Sequence, residues 1–528
     1  MNKALLIQLW MFVIGFLFCN LHKRIFDPVF RTLTALPIGW ALFGICATIV
    51  YSVYFSAASQ MVLLVVLALT TLALLFANIR QGSLSRDTIL LGGVSLVVLT
   101  GACVFVDVLS IVTMSSDSSY LARFGQNIGL GNYEASRRVF SMWGPLVPFM
   151  HSITNLLDQK LYWQYQPVLS LNLVGIVFYT VYTVIREQKS MLQSCVAATV
   201  LVSLMALSNI FLFHVFYIHV HIISALYLYL FVFALIKMQQ QPGRAYEFLA
   251  LLSLIAFSLV RLEAPLFVIV ILLVTTFRQG WSYANRLKLI IPFVGLFVAW
   301  YARVYFIIPA VPSPFPSTTD LLTKELVVAV ISVLVGFGLF AVVSHVKVLD
   351  PIVKRTPFLT LIALLLVSVT FTLIKPEHML SSLESLVRNL LIEGNWGLTW
   401  YVMFFLATEL YFASRHAPKP HWMFMLLVTY ILLVYNLAFF TDSYHIGEFD
   451  SANRLVLQAL PLVLLYLSNL RFAYFYGDAE GGRELMPILE GANARITCPE
   501  SRCANKGSYP PYLARSSLLV PPRSAQGK

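Results

Sequence analysis

Ser258-Leu259-Val260-Arg261-Leu262-Glu263-Ala264-Pro265-Leu266-Phe267 sets two charges and a proline inside about thirty otherwise apolar residues, Phe248 to Phe277. As one helix the run would cross a membrane once. Broken at Arg261 and Pro265, it makes two short helices and brings the chain back to the side it came from. Charged side chains are costly in hydrocarbon and proline interrupts helical hydrogen bonding, which favours the break. Every loop after Phe277 takes its side of the membrane from that choice.

The rest of the composition is that of a polytopic membrane protein. Of 528 residues, 59% are hydrophobic and 11% charged, with a mean hydropathy of +0.80. Soluble domains are roughly half apolar and a quarter charged. Apolar runs of about 20 residues, enough to cross a hydrocarbon core of roughly 30 Å, recur from Ala4 to Arg471 without dominant strand-like alternation. They are helices, because lipid offers backbone groups no other partner. About fifteen segments start near Ala4, Leu36, Gln60, Ile89, Pro167, Leu192, Ile218, Tyr246, Ala264, Leu289, Glu325, Pro357, Trp396, His421 and Asn453. The expected fold is an all-α polytopic membrane protein. Its first run lacks a small-x-small cleavage pattern before His22-Lys23-Arg24 and reads as a retained anchor.

Short loops rich in Lys and Arg resist translocation, so they mark the cytoplasmic side. One alternate set carries Lys23, Arg24 and Arg31; Arg80 and Arg86; Arg186 and Lys189; Lys237 and Arg244; Arg278, Arg286 and Lys288; Lys347, Lys354 and Arg355; Arg415 and Lys419. The opposite set gathers Asp117, Glu134, Asp158, Glu263, Glu377, Glu384, Glu393, Asp442, Glu448 and Asp450 on the outer face. The net charge of +12 suits an anionic inner leaflet, and no nucleic-acid motif accompanies it. Cys19, Cys46, Cys103 and Cys195 fall in or beside spans, which excludes a disulfide framework on the outer loops. Cys498 and Cys503, spaced C-x4-C without a second pair or a nearby His, read as ordinary thiols of a polar tail.

Several outer groups carry chemistry. Ser115-Ser116-Asp117-Ser118-Ser119-Tyr120-Leu121-Ala122-Arg123-Phe124-Gly125 emerges directly from an apolar run and leads to Met142-Trp143-Gly144-Pro145-Leu146. Asp117 opens an amphipathic helix with Tyr120, Phe124, Ile128 and Leu130 on or near one face, set along the interface with its carboxylate over the headgroups. An N-cap is the plainer role for the same residue. Glu134 and Asp158 are solvated loop acids or further site groups, and Trp143 and Tyr162 to Tyr165 are interface anchors. Arg261 and Glu263 either neutralise each other at the break or present Arg261 to a phosphate, which its planar five-donor fork suits. Asp450-Ser451-Ala452-Asn453-Arg454 sets another arginine at a helix entrance. Lys375, His378 and Arg388 fall in an outer segment placed to cover the site. His214, His219 and His221 lack a carboxylate at matching local spacing and read as interface histidines rather than metal ligands. Gly-rich phosphate loops, Walker patterns and a Ser-His-Asp order are absent, so energy for a reaction must come with the substrate.

At these residues the chain resembles the GT-C superfamily of integral membrane glycosyltransferases, which includes protein O-mannosyltransferases and the aminoarabinose transferase acting on lipid A. The family pattern of an Asp-containing first outer loop, an alanine-bearing helix, a Gly-x-Tyr turn and a Pro-Leu element looks like Asp117, Tyr120, Ala122, Gly131-Asn132-Tyr133 and Gly144-Pro145-Leu146. An Arg-Pro-Glu-Gly turn resembles Arg261-Leu262-Glu263-Ala264, and an arginine before a late Leu-rich, Pro-containing helix resembles Arg454 to Pro461. Two departures stand out: Ser118 where the family often has a second acid, and Leu262 where it has proline.

The resemblance implies a GT-C-like transmembrane core over 88–471, with a first large outer loop at 114–166. Additional helices would precede it over 1–87, and a polar, mostly disordered cytoplasmic tail would follow over 472–528. It also implies transfer of a sugar from a polyprenyl-phosphate donor to a lipid, polysaccharide or protein acceptor. Asp117 would be the general base, Arg261 and Arg454 would bind the donor phosphate, Glu263 would orient Arg261, and Tyr120 would shape the sugar site. The pattern fixes no cofactor and leaves a divalent metal open. A transporter or flippase of a lipid-linked sugar is the competing class; it predicts inverted repeats and helices broken at the midplane, and no convincing repeat is visible. A non-catalytic assembly subunit is the third. The absence of an N-x-Ser/Thr sequon leans toward a bacterial inner membrane.

Overall fold

A computed structural model of the chain describes residues 3–53, 55–109, 116–132, 144–155, 165–187, 189–217, 219–240, 243–278, 281–307, 324–413, 421–441, 443–447 and 450–470. Among them there are nineteen α-helices and no strand, so the chain is an all-α polytopic membrane protein. The helices are α1 (Lys3–Leu21), α2 (Pro28–Val53), α3 (Ser59–Arg80), α4 (Arg86–Leu109), α5 (Ser116–Gly129), α6 (Leu146–Asn155), α7 (Tyr165–Arg186), α8 (Met191–Ala206), α9 (Asn209–Phe216) and α10 (His221–Gln240). They continue as α11 (Arg244–Val260), α12 (Ala264–Thr276), α13 (Tyr283–Ile307), α14 (Lys324–Val343), α15 (Asp350–Ile374), α16 (Pro376–Arg388), α17 (Thr399–Ala413), α18 (His421–Leu437) and α19 (Ser451–Asn469). Every predicted apolar segment is helical; α5, α6, α9 and α16 are the extra helices between them. The tail from residue 471, with Cys498 and Cys503, lies outside the described residues.

Among the described residues ten helices are long and apolar enough to cross a membrane, or eleven if α8 and α9, bent by 70°, form one broken span. This is fewer than the fifteen segments because some are short. Leu5–Leu21 and Ala264–Thr276 fall below the length of a span. At 1.5 Å per residue, α12 reaches only about 20 Å, well short of a hydrocarbon core. The charges at 261 and 263 cut it to that length.

Local chemistry starts the helices where the sequence allows it. Asp27 accepts hydrogen bonds from the amides of Val29 (2.9 Å) and Phe30 (3.1 Å), ahead of Pro28 in the first turn of α2. Ser190 and Gln193 form a reciprocal capping box on α8. α10 is apolar on all sides and buried along nearly its whole length, as a central helix should be. The Tyr227 hydroxyl ties it to α2 by donating to the Pro37 carbonyl at 2.8 Å. α3 and α15 are largely exposed apolar helices, suited to face lipid.

The two loop sets occupy opposite ends of the bundle. At the basic end Lys23 reaches the Ser83 carbonyl (3.1 Å), Arg278 bonds Gln239, and Arg286 bonds Ser344 (2.7 Å). At the other end, the Gln60 amide at the start of α3 holds the Ser152 carbonyl of α6 at 3.1 Å, and Asn209 bonds Asn395 at 3.0 Å. The helices of residues 1–87 belong to the same compact unit as those after them.

α1 and α2 cross at two glycines. A Cβ on Gly15 would fall closer than 3.0 Å to the Ala35 carbonyl and the Gly39 amide, and one on Gly39 as close to the Met11 carbonyl. Small residues that let backbones touch are how helices associate without a hydrophobic drive. Gly15→Val should therefore force the crossing apart and destabilise the purified protein by about 1–3 kcal/mol. Gly93→Val, on a position of α4 with nothing within 4 Å, should leave thermal unfolding in detergent unchanged.

Candidate functional site

The break predicted at Arg261 is present. α11 ends at Val260, Arg261 is extended (φ −134°, ψ 152°), and α12 starts at Ala264 with Pro265 in its first turn. The Arg261 guanidinium pairs with the Glu263 carboxylate, both side chains about one-fifth exposed at 20% and 19%. The Tyr301 hydroxyl donates to the Leu262 carbonyl at 3.1 Å, which satisfies backbone that the break leaves open. Gly144 lies directly against this turn. A Cβ there would fall closer than 3.0 Å to the Leu259 carbonyl and the Arg261 amide, so only glycine fits.

Arg454 arrives from the other side. The Asp450 carboxylate caps α19, with Oδ2 accepting from the amides of Ala452 (2.8 Å) and Asn453 (3.3 Å), while Oδ1 accepts from the His445 amide at 2.8 Å. The neighbouring Asn453 is fixed by donating to the Gly394 carbonyl (2.9 Å) and accepting from the Trp396 indole. One turn after Arg454, Gln458 donates to His221 Nδ1 at 3.3 Å; Arg261 Nη1 reaches the same nitrogen at 3.5 Å. Gln458 is itself held by the Tyr430 hydroxyl, at 2.9 Å. His221 thus joins Arg261 to the turn of α19 that follows Arg454, two arginines that are 193 positions apart in the chain.

The histidines are not interface residues. His214, His219 and His221 are 0%, 4% and 1% exposed. His219 and His221 stack in parallel with centroids 4.5 Å apart, and His214 meets His221 edge-on at 5.3 Å. The Gln166 amide donates to the His214 carbonyl at 3.1 Å, bringing α7 into the cluster. Among the described residues no group of three or more His, Cys, Asp or Glu is arranged to hold a metal ion.

Asp117 is the second residue of α5, inside its first turn rather than at an N-cap; its side chain lies outside the described residues. α5 is amphipathic, but the face it buries is Leu121, Phe124 and Ile128, while Tyr120 (41%) and Leu130 (65%) are exposed. That face packs on α6 instead of resting on a lipid interface. A Cβ on Gly125 would collide with Pro148 and His151, and one on Gly129 with Gln60, whose amide holds Ser152.

Other expectations change with the structure. Tyr165, expected as an interface anchor, is fully buried and bonds His151 Nε2 at 2.7 Å. Lys375 donates to the Phe439 carbonyl (3.0 Å), His378 bonds the Ala438 carbonyl (2.7 Å), and Arg388 pairs with Glu384 (3.3 Å) and Glu393 (2.5 Å). These three side chains tie α16 to its own surroundings and do not turn toward Arg261. Glu134, Trp143, Asp158, Tyr162, Asp442 and Glu448 lie outside the described residues. Sequence reasoning missed Gln166, Tyr430 and Gln458. Of these only Gln458, four residues after Arg454 on an apolar helix, carried a visible signal. Compared with family models, curated proteins and solved structures, the chain matches none.

Burial pushes the His151 imidazole down to about 3, from an ordinary 6.5. The folded protein therefore holds it neutral, while the unfolded chain takes up a proton as pH falls through 6.5. Stability linked to His151 should be complete above that value and decline as pH drops toward 3. Thermal unfolding in detergent between pH 7.5 and pH 5 should show this slope, and His151→Gln should flatten it.

Proposed function

We propose that this integral membrane protein is a GT-C-type glycosyltransferase that moves a sugar from a polyprenyl-phosphate donor to an acceptor on the non-cytoplasmic face of a bacterial inner membrane. The observation that carries the reading is that His221 meets Arg261 on one side and Gln458, one turn after Arg454, on the other, at the end of the bundle whose loops hold the acids. Two guanidiniums there suit a phosphate monoester leaving group. The acceptor is a lipid, polysaccharide or protein hydroxyl.

In the reaction the acceptor oxygen attacks the anomeric carbon as the bond from that carbon to the phosphate oxygen breaks. The hydroxyl proton passes to Asp117, and polyprenyl phosphate leaves as an anion. Arg261, oriented by Glu263, and Arg454 stabilise the charge that develops on the leaving oxygen. Base assistance of this kind contributes typically 10²- to 10⁴-fold. Direct displacement inverts the anomeric centre.

Purified protein incubated with a radiolabelled polyprenyl-phosphate sugar and an acceptor extract should consume the donor and give inverted product; a transporter would leave the donor intact. Asp117→Asn should lower turnover by about 10²-fold or more while leaving donor binding in place. Arg261→Lys, which keeps the charge and loses the fork, should raise KM by about tenfold. Full activity in a well-expressed Asp117→Asn protein would remove Asp117 from the mechanism.

A further inference from the structure

Around His221, which Arg261 reaches, four polar side chains leave buried atoms without a partner among the described residues. Among the described residues both ring nitrogens of His214, Nε2 of His221, Oε1 of Gln166 and Oγ of Ser224 find no hydrogen-bond partner, and all four residues are 0–1% exposed. Ser224 lies one turn after His221 on the same face of α10, and Gln166 already touches the His214 backbone. A buried polar group without a partner is costly, and such groups in one place call for something that satisfies them.

Their chemistry says what. Gln458 and Arg261 both donate to His221 Nδ1, so that nitrogen is an acceptor and the ring proton sits on Nε2. His221 Nε2 is therefore a donor. His214 offers one donor and one acceptor, Gln166 Oε1 an acceptor, and Ser224 Oγ both. A phosphate would require donors alone and a cation acceptors alone. Donors interleaved with acceptors match hydroxyl groups, which are both at once.

We infer that His214, His221, Gln166 and Ser224 form the subsite for the hydroxyls of the donor's glycosyl group, beside the arginines that take its phosphate. This rests on the transferase reading above. His221 bridges the two halves, with Nδ1 toward Arg261 and Nε2 toward the sugar. The assignment makes His214 and Ser224 determinants of sugar binding that contribute nothing to holding the bare lipid phosphate.

The test titrates the full-length protein in detergent with a short polyprenyl phosphate and with its mannosyl and glucosyl esters. The wild type should bind at least one ester more tightly than the bare phosphate. His214→Phe and Ser224→Ala should each weaken that ester roughly three- to tenfold, the loss of one hydrogen bond, and leave the bare phosphate within about twofold. The same variants should unfold at an unchanged or higher temperature without ligand, because a buried unsatisfied group has been removed; Ser224→Ala is the conservative member. Equal weakening of esters and phosphate, or no weakening of either, overturns the subsite. A wild type that binds none of these lipids overturns the transferase reading and the subsite with it.

Discussion

An arginine and a glutamate that cannot remain in hydrocarbon end two helices at Val260 and Ala264, and the proposed site is arranged around that stop. The pair neutralises itself across the turn, and Tyr301 covers the exposed backbone at Leu262. Gly144 brings α6 to rest on the same turn without an intervening side chain. Without the break, α12 would leave at the opposite end, and Arg261 could not share a compartment with Arg454.

The central helix supplies the other half. α10 begins at His221 and is packed on all sides, so its first turn is held as firmly as the core behind it. A buried polar cluster at such a position is rigid when satisfied and costly when it is not. Its partners come from α7, α11 and α19, helices that lie far apart in the chain. This is the arrangement expected of a binding site placed between helices of a bundle, where orientation is fixed by packing and specificity by a few polar atoms.

Much of the architecture was legible because the membrane imposes a simple rule on length and polarity. Fifteen apolar runs became fifteen helices, and the Lys and Arg pattern separated the two ends. Loop geometry was less accessible. The buried face of α5 follows Leu121, Phe124 and Ile128 rather than Tyr120, because α6 supplies an apolar partner that local periodicity does not reveal. Tyr165 and the three histidines have the composition of an interface belt, and only tertiary packing distinguishes a buried imidazole from one in the headgroups. Lys375, His378 and Arg388 had the right charge for an anion site but found nearer carbonyls and carboxylates. Arg261 and Arg454 stood out as charges at helix ends. Their link through His221 and Gln458 depends on contacts 40 and more than 200 residues distant in sequence.

A double-mutant cycle on Arg261 and Arg454 addresses that link at its source. Affinity for a short polyprenyl phosphate would be measured for the wild type, Arg261→Gln, Arg454→Gln and the double variant, at fixed salt. If both guanidiniums hold one phosphate beside His221, the losses will be non-additive, with a coupling of about 1 kcal/mol or more. Losses that simply add would mean two separate, independent charges and would contradict the shared site.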